Sequence, residues 1–443
     1  MVEYSSMYTK ICEFQESLNQ GLEYKSKVRL NLILTSSMLF APSDYLLREL
    51  LQNSAQIPFT ISTFRLTEIE LSLYEKYTHD ALSQTAKARL SNLHRLEQYR
   101  VMSYYKSPID IVRLEEFKAP ICFVTCNINE AVEISRLALP QNDTHILLDR
   151  FEKDSSNQNM DTFTAKFDKG IKSVSDIYDA AQLRLWTNEV EDAPNAVPDV
   201  FEINGSNYVA TKDFSPLRDS GGEGDLFRIT FDGGKVIKII RYPSETKMMK
   251  IKYFLSDDAK KLPMAAFCPL PQALVYTLNG AEIGYTMEYI HGTRLDRYVA
   301  RMADDSRTKL VDVLMLFLRI TLAVRAVHLS DCVIGDLCVY NFMVEKSGYV
   351  KIVDCDSFQI MDYPNDGVHY EAMSYIDGHE GLYLSCEVDY HLLRSMLDEL
   401  ILYFNTKIQE RYNAILNSYN EKVNDICGLI FAFYYHLLSL GEI

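Results

Sequence analysis

Residues 328–360 read HLSDCVIGDLCVYNFMVEKSGYVKIVDCDSFQI, and the alternation of apolar runs and turns in this stretch decides the reading of the chain's second half. Residues 333–337 form a short apolar run carrying Asp336. Residues 342–344 and 349–353 read as two strands joined by the turn EKSG at 345–348, a hairpin. Asp336, Asn341 and Asp354 then lie at the ends of neighbouring strands, so two carboxylates and an amide can converge on one point. Phosphoryl transfer needs that equipment: a carboxylate to orient or deprotonate a hydroxyl, and an amide with a carboxylate to hold Mg2+ against nucleotide phosphates.

Working outward, SGGEGDLFRITFDGGKVIKIIR (220–241) places Gly221, Gly222 and Gly224 ahead of an alternating segment, a Gly233-Gly234 turn and a strand at 235–240. Glycine lets backbone N–H groups approach an anion closely, so the lip can cover phosphates. Lys238, in mid-strand, could reach them. GYTMEYIHGTRLDRYV (284–299) reads as a buried strand, a short connection and a helix, and 244–255 and 311–327 read as helices.

The run G-D-L-C-V-Y-N (335–341) resembles the protein-kinase catalytic loop H-R-D-L-x-x-x-N, and K-I-V-D-C-D (351–356) resembles the following strand and D-F-G metal site. In the same order, V-I-K (236–238) resembles the strand carrying the nucleotide lysine. M-E-Y-I-H-G (287–292) resembles the adenine-holding hinge, and C-E-V-D-Y-H-L-L (386–393) the helix whose aspartate, Asp389, buttresses the loop. The wording G-D-L, N, D-C-D-S-F-Q is closest to a bacterial branch of serine/threonine kinase-like domains. The resemblance covers about 207–440 and implies an α+β bilobal kinase-like domain at 196–443. It further implies ATP as cofactor, Lys238 on the phosphates, Asp336 as catalytic base, and Asn341 and Asp354 on magnesium. Met287, Glu288 and Ile290 would border the adenine, and Glu245 is the candidate partner of Lys238.

Three departures bear on activity. Gly335 replaces the arginine before the catalytic aspartate, Cys338 stands where a lysine is usual, and Asp356 where D-F-G has glycine. No A-P-E element follows, only a stretch rich in Tyr, Gly and His at 363–383. Phosphorylation of Ser/Thr hydroxyls on the chain itself or on a partner is the first expectation. A nucleotide-binding pseudokinase scaffold acting on the N-terminal module is the alternative. Cys338 and Cys355 read as buried small hydrophobes, since no histidine stands at a diagnostic spacing.

The first half, 1–195, reads as an α/β module with a mostly parallel sheet. Strands at 28–39, 58–62, 119–126 and 145–148 alternate with helices at 45–52, 66–99 and 129–137. Ligands of such sheets bind beyond the carboxyl ends of the strands, here near Thr35 and Asn127. The pattern resembles a PIN-type nuclease domain, with T-S after strand one, Thr67-Glu68 on a later helix and V-T-x-N at 124–127. Those nucleases hold metal with clustered acids. Leu34 and Asn127 occupy two of the acid positions and leave Glu68, which implies a catalytically dead version. An RNA-directed module controlled by the kinase half is a further alternative.

Composition narrows the classes. The chain has 443 residues, 47% hydrophobic and 24% charged, with 18 Gly and 13 Pro, which suits two domains with ordinary cores. Its net charge is −16; residues 1–195 carry 27 acids and 21 bases and the remainder 34 and 24, so neither half supplies the positive field that nucleic-acid binding needs. The boundary falls in 187–220, rich in Pro, Asp and Asn with one strand-like patch at 208–210, while 154–159 (DSSNQN) suits an exposed loop. The N-terminus lacks a basic segment leading into an apolar run, and the apolar stretch 426–440 is shorter than a bilayer requires. The nine cysteines include no C-x-x-C pair. These points lead to the expectation of a cytoplasmic protein without structural zinc or membrane contact, partnered by a protein substrate.

Overall fold

In the computed structural model the described residues are 6–22, 27–78, 80–99, 102–105, 120–138, 144–148, 171–173, 176–177, 200–209, 214–217, 224–229, 233–241, 243–360, 363, 365, 384–419 and 425–443. The chain forms two compact units. One comprises Met1–Leu185 with Arg325–Cys332 and Asn413–Ile443, the other Trp186–Val324 with Val333–Tyr412. The loop segment 154–159 lies outside the described residues, as do 187–199 and 366–383.

The first unit is built on a six-stranded sheet. Strands β1 (Asn31–Leu34), β2 (Thr60–Phe64), β3 (Met102–Tyr105), β4 (Ile121–Thr125), β5 (Thr144–Leu148) and β6 (Ile171–Ser173) lie in the order β3-β2-β1-β4-β5-β6. Every pairing is parallel except β5 with β6. The central strands NLIL and ICFVT are buried along their whole length, because a parallel sheet covered on both faces needs continuous apolar runs rather than alternation. Helix α1 (Met7–Leu18) precedes β1, and α2 (Ser36–Phe40), α3 (Tyr45–Gln52), α4 (Arg65–Tyr77), α5 (Asp80–Gln98) and α6 (Ile128–Ala138) lie in the connections. Strand order reverses between β1 and β4, which opens a crevice beyond their carboxyl ends. Two short strands, β3 and β6, went unread in the sequence, since three or four residues carry too little periodicity.

The second unit holds a seven-stranded sheet in the order β8-β7-β12-β13-β11-β10-β9, antiparallel at each of the pairings. Its strands are β7 (Val200–Ile203), β8 (Ser206–Val209), β9 (Phe214–Pro216), β10 (Gly224–Ile229), β11 (Lys235–Ile240), β12 (Ala273–Thr277) and β13 (Glu282–Glu288). The stretch read as a loop with one patch therefore contains three strands. Asn204 and Gly205, at φ 51° and 77°, make the tight β7–β8 turn, a hairpin signal hidden among prolines and aspartates.

Alternation in β11 divides the sheet's two faces. Ile237 and Ile239 join Phe201, Val275 and Ile283 in one cluster, whereas Val236 and Ile240 pack with Tyr285, Met287 and, from helix α7 (Glu245–Phe254), Met248 and Ile251. Lys238 shares the α7 face. Strands Gly292–Arg294, Phe342–Glu345 and Val350–Ile352 form a three-stranded antiparallel sheet, closed at Gly348 (φ 82°) as the EKSG reading requires. Helices Leu295–Asp304, Leu310–Leu329 and Cys386–Leu400 follow the expected pattern. No helix among the described residues is long and apolar enough to cross a membrane.

The first unit also buries an ion pair. Glu70 on α4 is fully buried, and its Oε1 accepts from Arg325 Nε at 2.7 Å. Removing one member strands the other charge, so Arg325→Met is expected to cost about 3–5 kcal/mol, whereas Arg325→Met with Glu70→Leu stays within about 1–2 kcal/mol of the parent. Urea unfolding midpoints measure both.

Candidate functional site

In the second unit the buried Lys238 is the centre of the site. Its side chain is 4% exposed, and its Nζ lies 3.1 Å from Asp354 Oδ1 and 2.8 Å from Asp356 Oδ1. Asp354 follows the strand Val350–Ile352 in a left-handed conformation (φ 64°, ψ 38°), which aspartate tolerates better than most residues and which turns its carboxylate toward the lysine. That side chain stays 41% exposed, while Asp356, two residues on, is wholly buried. Tyr285 Oη donates to Asp356 Oδ1 at 2.7 Å, and Lys247 Nζ lies 3.7 Å from Asp356 Oδ2.

Burial alone would raise the Asp356 carboxyl, but the charges of Lys238 and Lys247 and the hydrogen bonds from Lys238 and Tyr285 outweigh it and hold the group well below the usual carboxylate range. The Tyr285 hydroxyl is pushed well above its ordinary value, first by burial and then by the charge of Asp356.

The loop carrying Asp336 and Asn341 is fastened at both ends. Asp389, fully buried in the first turn of helix Cys386–Leu400, accepts 2.7 Å hydrogen bonds from the backbone N–H groups of Ile334 and Gly335. Asn341 Nδ2 donates to the Asp336 carbonyl at 2.7 Å, and the Asn341 carbonyl accepts from Val353 N at 2.9 Å, which ties the loop to the residue before Asp354. The Cys338 thiol is raised by burial and, to a lesser extent, by the nearby charges of Asp336 and Asp354.

Gly335 explains one departure from the kinase pattern. Its φ is +72°, and a Cβ there would meet Asn365 Nδ2 at 2.5 Å and Leu384 Cδ1 at 2.7 Å, so a side chain would be strained and would displace these neighbours. Gly224 lies against the lysine: a Cβ would meet Ile239 O at 2.7 Å and Lys238 Cε and Cγ at 3.3 Å. Gly221 and Gly222, in the connection between β9 and β10, lie outside the described residues.

The structure joins Lys238 to Asp354 and ties Asn341 to the Asp336 backbone in the adjacent loop, and it leaves Glu245 out. Glu245 opens α7 in an exposed position, and the Lys238 ammonium turns to Asp354 and Asp356 instead. The buried face of α7 is cationic: Lys247, and Lys250, whose Nζ donates to the Phe358 carbonyl at 3.1 Å. Asp356 and Lys247 were missed in the sequence. The signal was present in D-C-D, where a second aspartate replaces a glycine, and in the two lysines on α7. Met287 is buried in the cluster beside α7, Glu288 is exposed and Ile290 half-buried. A cavity of about 720 Å³ opens beside this segment, lined by Tyr289, His291, Tyr298, Arg301 and Glu345 among others. It includes none of Lys238, Asp336, Asn341 and Asp354, so it neighbours the site without being it.

The first unit has a polar cluster beyond β1 and β4, where the topology opens its crevice. One Glu130 oxygen accepts from Thr35 at 2.7 Å, from Thr125 at 2.6 Å and from Ser37, while Glu70 accepts from Ser36 at 2.7 Å and from Arg325. Asn127 caps α6: its Oδ1 accepts from Glu130 N at 2.9 Å, and its amide donates to the His328 carbonyl. Glu68 is not part of this cluster, since it pairs with Arg65 and, at 3.0 Å, with His94. Glu70 and Glu130 are the acids that point there; Ser36 and Arg325 occupy both oxygens of Glu70, and three hydroxyls share one oxygen of Glu130. The N-x-x-E spacing of Asn127 and Glu130 was the readable sign. Among the described residues no group of three or more His, Cys, Asp or Glu gathers to hold a metal ion. All nine cysteines are thiols rather than disulfides.

No protein-family model matches the chain, and no curated protein matches it. Among solved structures, the ROP18 kinase domain in complex with AMP-PNP and sucrose is similar at 13% sequence identity and a TM-score of 0.39, over 56% of this chain and 85% of that chain. What the site can do follows from its own geometry.

Gly335→Ala forces a side chain into the left-handed region against Asn365 and Leu384, and is expected to lower stability by at least about 2 kcal/mol, several degrees in Tm. Calorimetry of the variant measures it; an unchanged Tm contradicts the local geometry.

Proposed function

We propose that the second unit binds ATP and, with Mg2+, transfers its terminal phosphoryl group to a serine or threonine hydroxyl of a protein, either the chain itself or a partner. The observation that carries this reading is the buried Lys238 ammonium held 3.1 Å from Asp354, beside a loop that presents Asp336 and Asn341. A desolvated ammonium is a strong phosphate ligand, and the transfer depends on positioning and charge more than on covalent chemistry.

The donor set fits magnesium. Asp354 keeps an exposed carboxylate, and Asn341, its amide nitrogen committed to the Asp336 carbonyl, keeps its side-chain oxygen for a hard cation. Asn341 and Asp354 would hold the ion, which when bound neutralises the charge of the nucleotide phosphates. Lys238 orients the phosphates, with Gly224 letting the backbone of β10 lie close. Asp336 accepts the proton of the attacking hydroxyl. Asp389 fixes the loop through two backbone N–H groups and so fixes the distance over which that proton moves. Met287 and Ile290 border the adenine side. We place the N-terminal module at 1–195 and the kinase-like domain at 196–443, with the protein in the cytoplasm, where nine thiols are at home.

The Cys338 side chain favours a second reading, a nucleotide-binding scaffold without transfer. It offers a neutral thiol two residues after Asp336, where the resemblance implies a lysine, so the transferred group meets one cation fewer.

Incubation of the purified chain with labelled ATP and Mg2+ separates the two readings. The expected result is incorporation of label that Asp336→Asn and Asp354→Asn each lower by about a hundredfold or more, with Asp336→Asn keeping nucleotide-dependent thermal stabilisation. Stabilisation without incorporation establishes the scaffold, and the absence of both signals overturns the nucleotide reading.

A further inference from the structure

We propose that Asp356 is the positioning residue for the nucleotide lysine, with the charges of the surrounding elements exchanged: the turn supplies the carboxylate and helix α7 supplies a cation. The inference rests on the nucleotide reading of the second unit and names the residue that makes Lys238 competent. In phosphoryl transfer by protein kinases, a glutamate of the corresponding helix pairs with the lysine and must be in place. Here the acid of α7, Glu245, is exposed, and the buried face of the helix carries Lys247 and Lys250.

The geometry assigns the role to Asp356. It is fully buried, its Oδ1 is 2.8 Å from Lys238 Nζ, and Tyr285 donates to the same oxygen at 2.7 Å. Its other oxygen, Oδ2, has no hydrogen-bond partner among the described residues and faces Lys247 Nζ at 3.7 Å. One negative charge thus lies between two buried cations. Asp354, at 3.1 Å from the same Nζ, is the more exposed of the two carboxylates and is the one available to a metal ion. Division of labour follows. Asp356 aims the lysine permanently, and Asp354 can turn to the nucleotide and its cation without releasing Lys238. Lys250, donating to the Phe358 carbonyl, fastens α7 to the same turn, so the helix and the turn that holds the lysine are held together at two points.

The test uses the full chain and reads MgATP affinity by titration calorimetry alongside phosphate incorporation. Asp356→Asn is expected to weaken MgATP binding about tenfold or more, the scale of a lost charged hydrogen bond. Asp356→Asn leaves two buried lysines facing each other and can fail to fold, so two double variants that relieve this repulsion decide the outcome. Asp356→Asn with Lys247→Met removes one charge of each sign and leaves Lys238 without its positioning acid; the tenfold loss persists. Asp356→Asn with Lys247→Glu returns a carboxylate from the helix side, and at least fivefold of the lost affinity returns with it. A merely structural Asp356 predicts equal affinity in both double variants, and that equality overturns the proposal, as does affinity within twofold of the parent in the Asp356→Asn single variant or in its combination with Lys247→Met. Lys238→Met and Asp354→Asn in the same titration keep the two readings apart. If neither weakens MgATP, the nucleotide reading itself falls. If both do while the Asp356 variants do not, only the assignment of Asp356 falls.

Discussion

An ammonium group removed from water has to meet a negative charge, and in the second unit that requirement organises the site. Lys238 sits on the α7 face of β11 because strand alternation sends its side chain there, into the same layer as Val236 and Ile240. Desolvation of a lone cation costs several kcal/mol, so the layer has to contain acids. Asp354 reaches it by taking up a left-handed backbone, Asp356 by entering the core. Once Asp356 is buried, Tyr285 and Lys247 are needed to satisfy it. The chain of dependence runs from one lysine outward to the strand end, the turn and the helix.

The loop at 334–341 depends on a second buried acid with a different task. Asp389 serves the backbone: it accepts from two N–H groups that the tight turn at Gly335 leaves without a partner in a ladder. Glycine at 335 follows from that turn, since the positive φ and the closeness of Asn365 and Leu384 disfavour a side chain. A residue that looks like a loss against the kinase pattern is thus a packing constraint of this loop.

Carboxylates in the first unit show the contrary outcome. Glu70 and Glu130 lie beyond the carboxyl ends of β1 and β4, where a sheet of this topology offers a ligand site. Thr35, Ser37 and Thr125 converge on one oxygen of Glu130, and Ser36 and Arg325 take the two of Glu70. Hydroxyls and a guanidinium thus tie these acids into the fold of the crevice.

Much of this was readable from residue order. Apolar runs with no polar face determined the central parallel strands, and turn residues at 345–348 determined the hairpin that ends near Asp354. The hairpin pattern put Asp336, Asn341 and Asp354 at the ends of neighbouring strands, because strand and turn lengths set where their backbones meet, whereas Asp389 was reached only through its resemblance to a kinase helix. Short strands such as β3 and β7 escaped, having too few residues to show a period. Only the tertiary structure decided the pairings. Which acid faces Lys238, whether Glu68 or Glu70 enters the crevice, and why a side chain at Gly335 would be strained all depend on neighbours far away in sequence. Local pattern carries backbone conformation, whereas a buried charge is matched by whatever packing brings within about 4 Å.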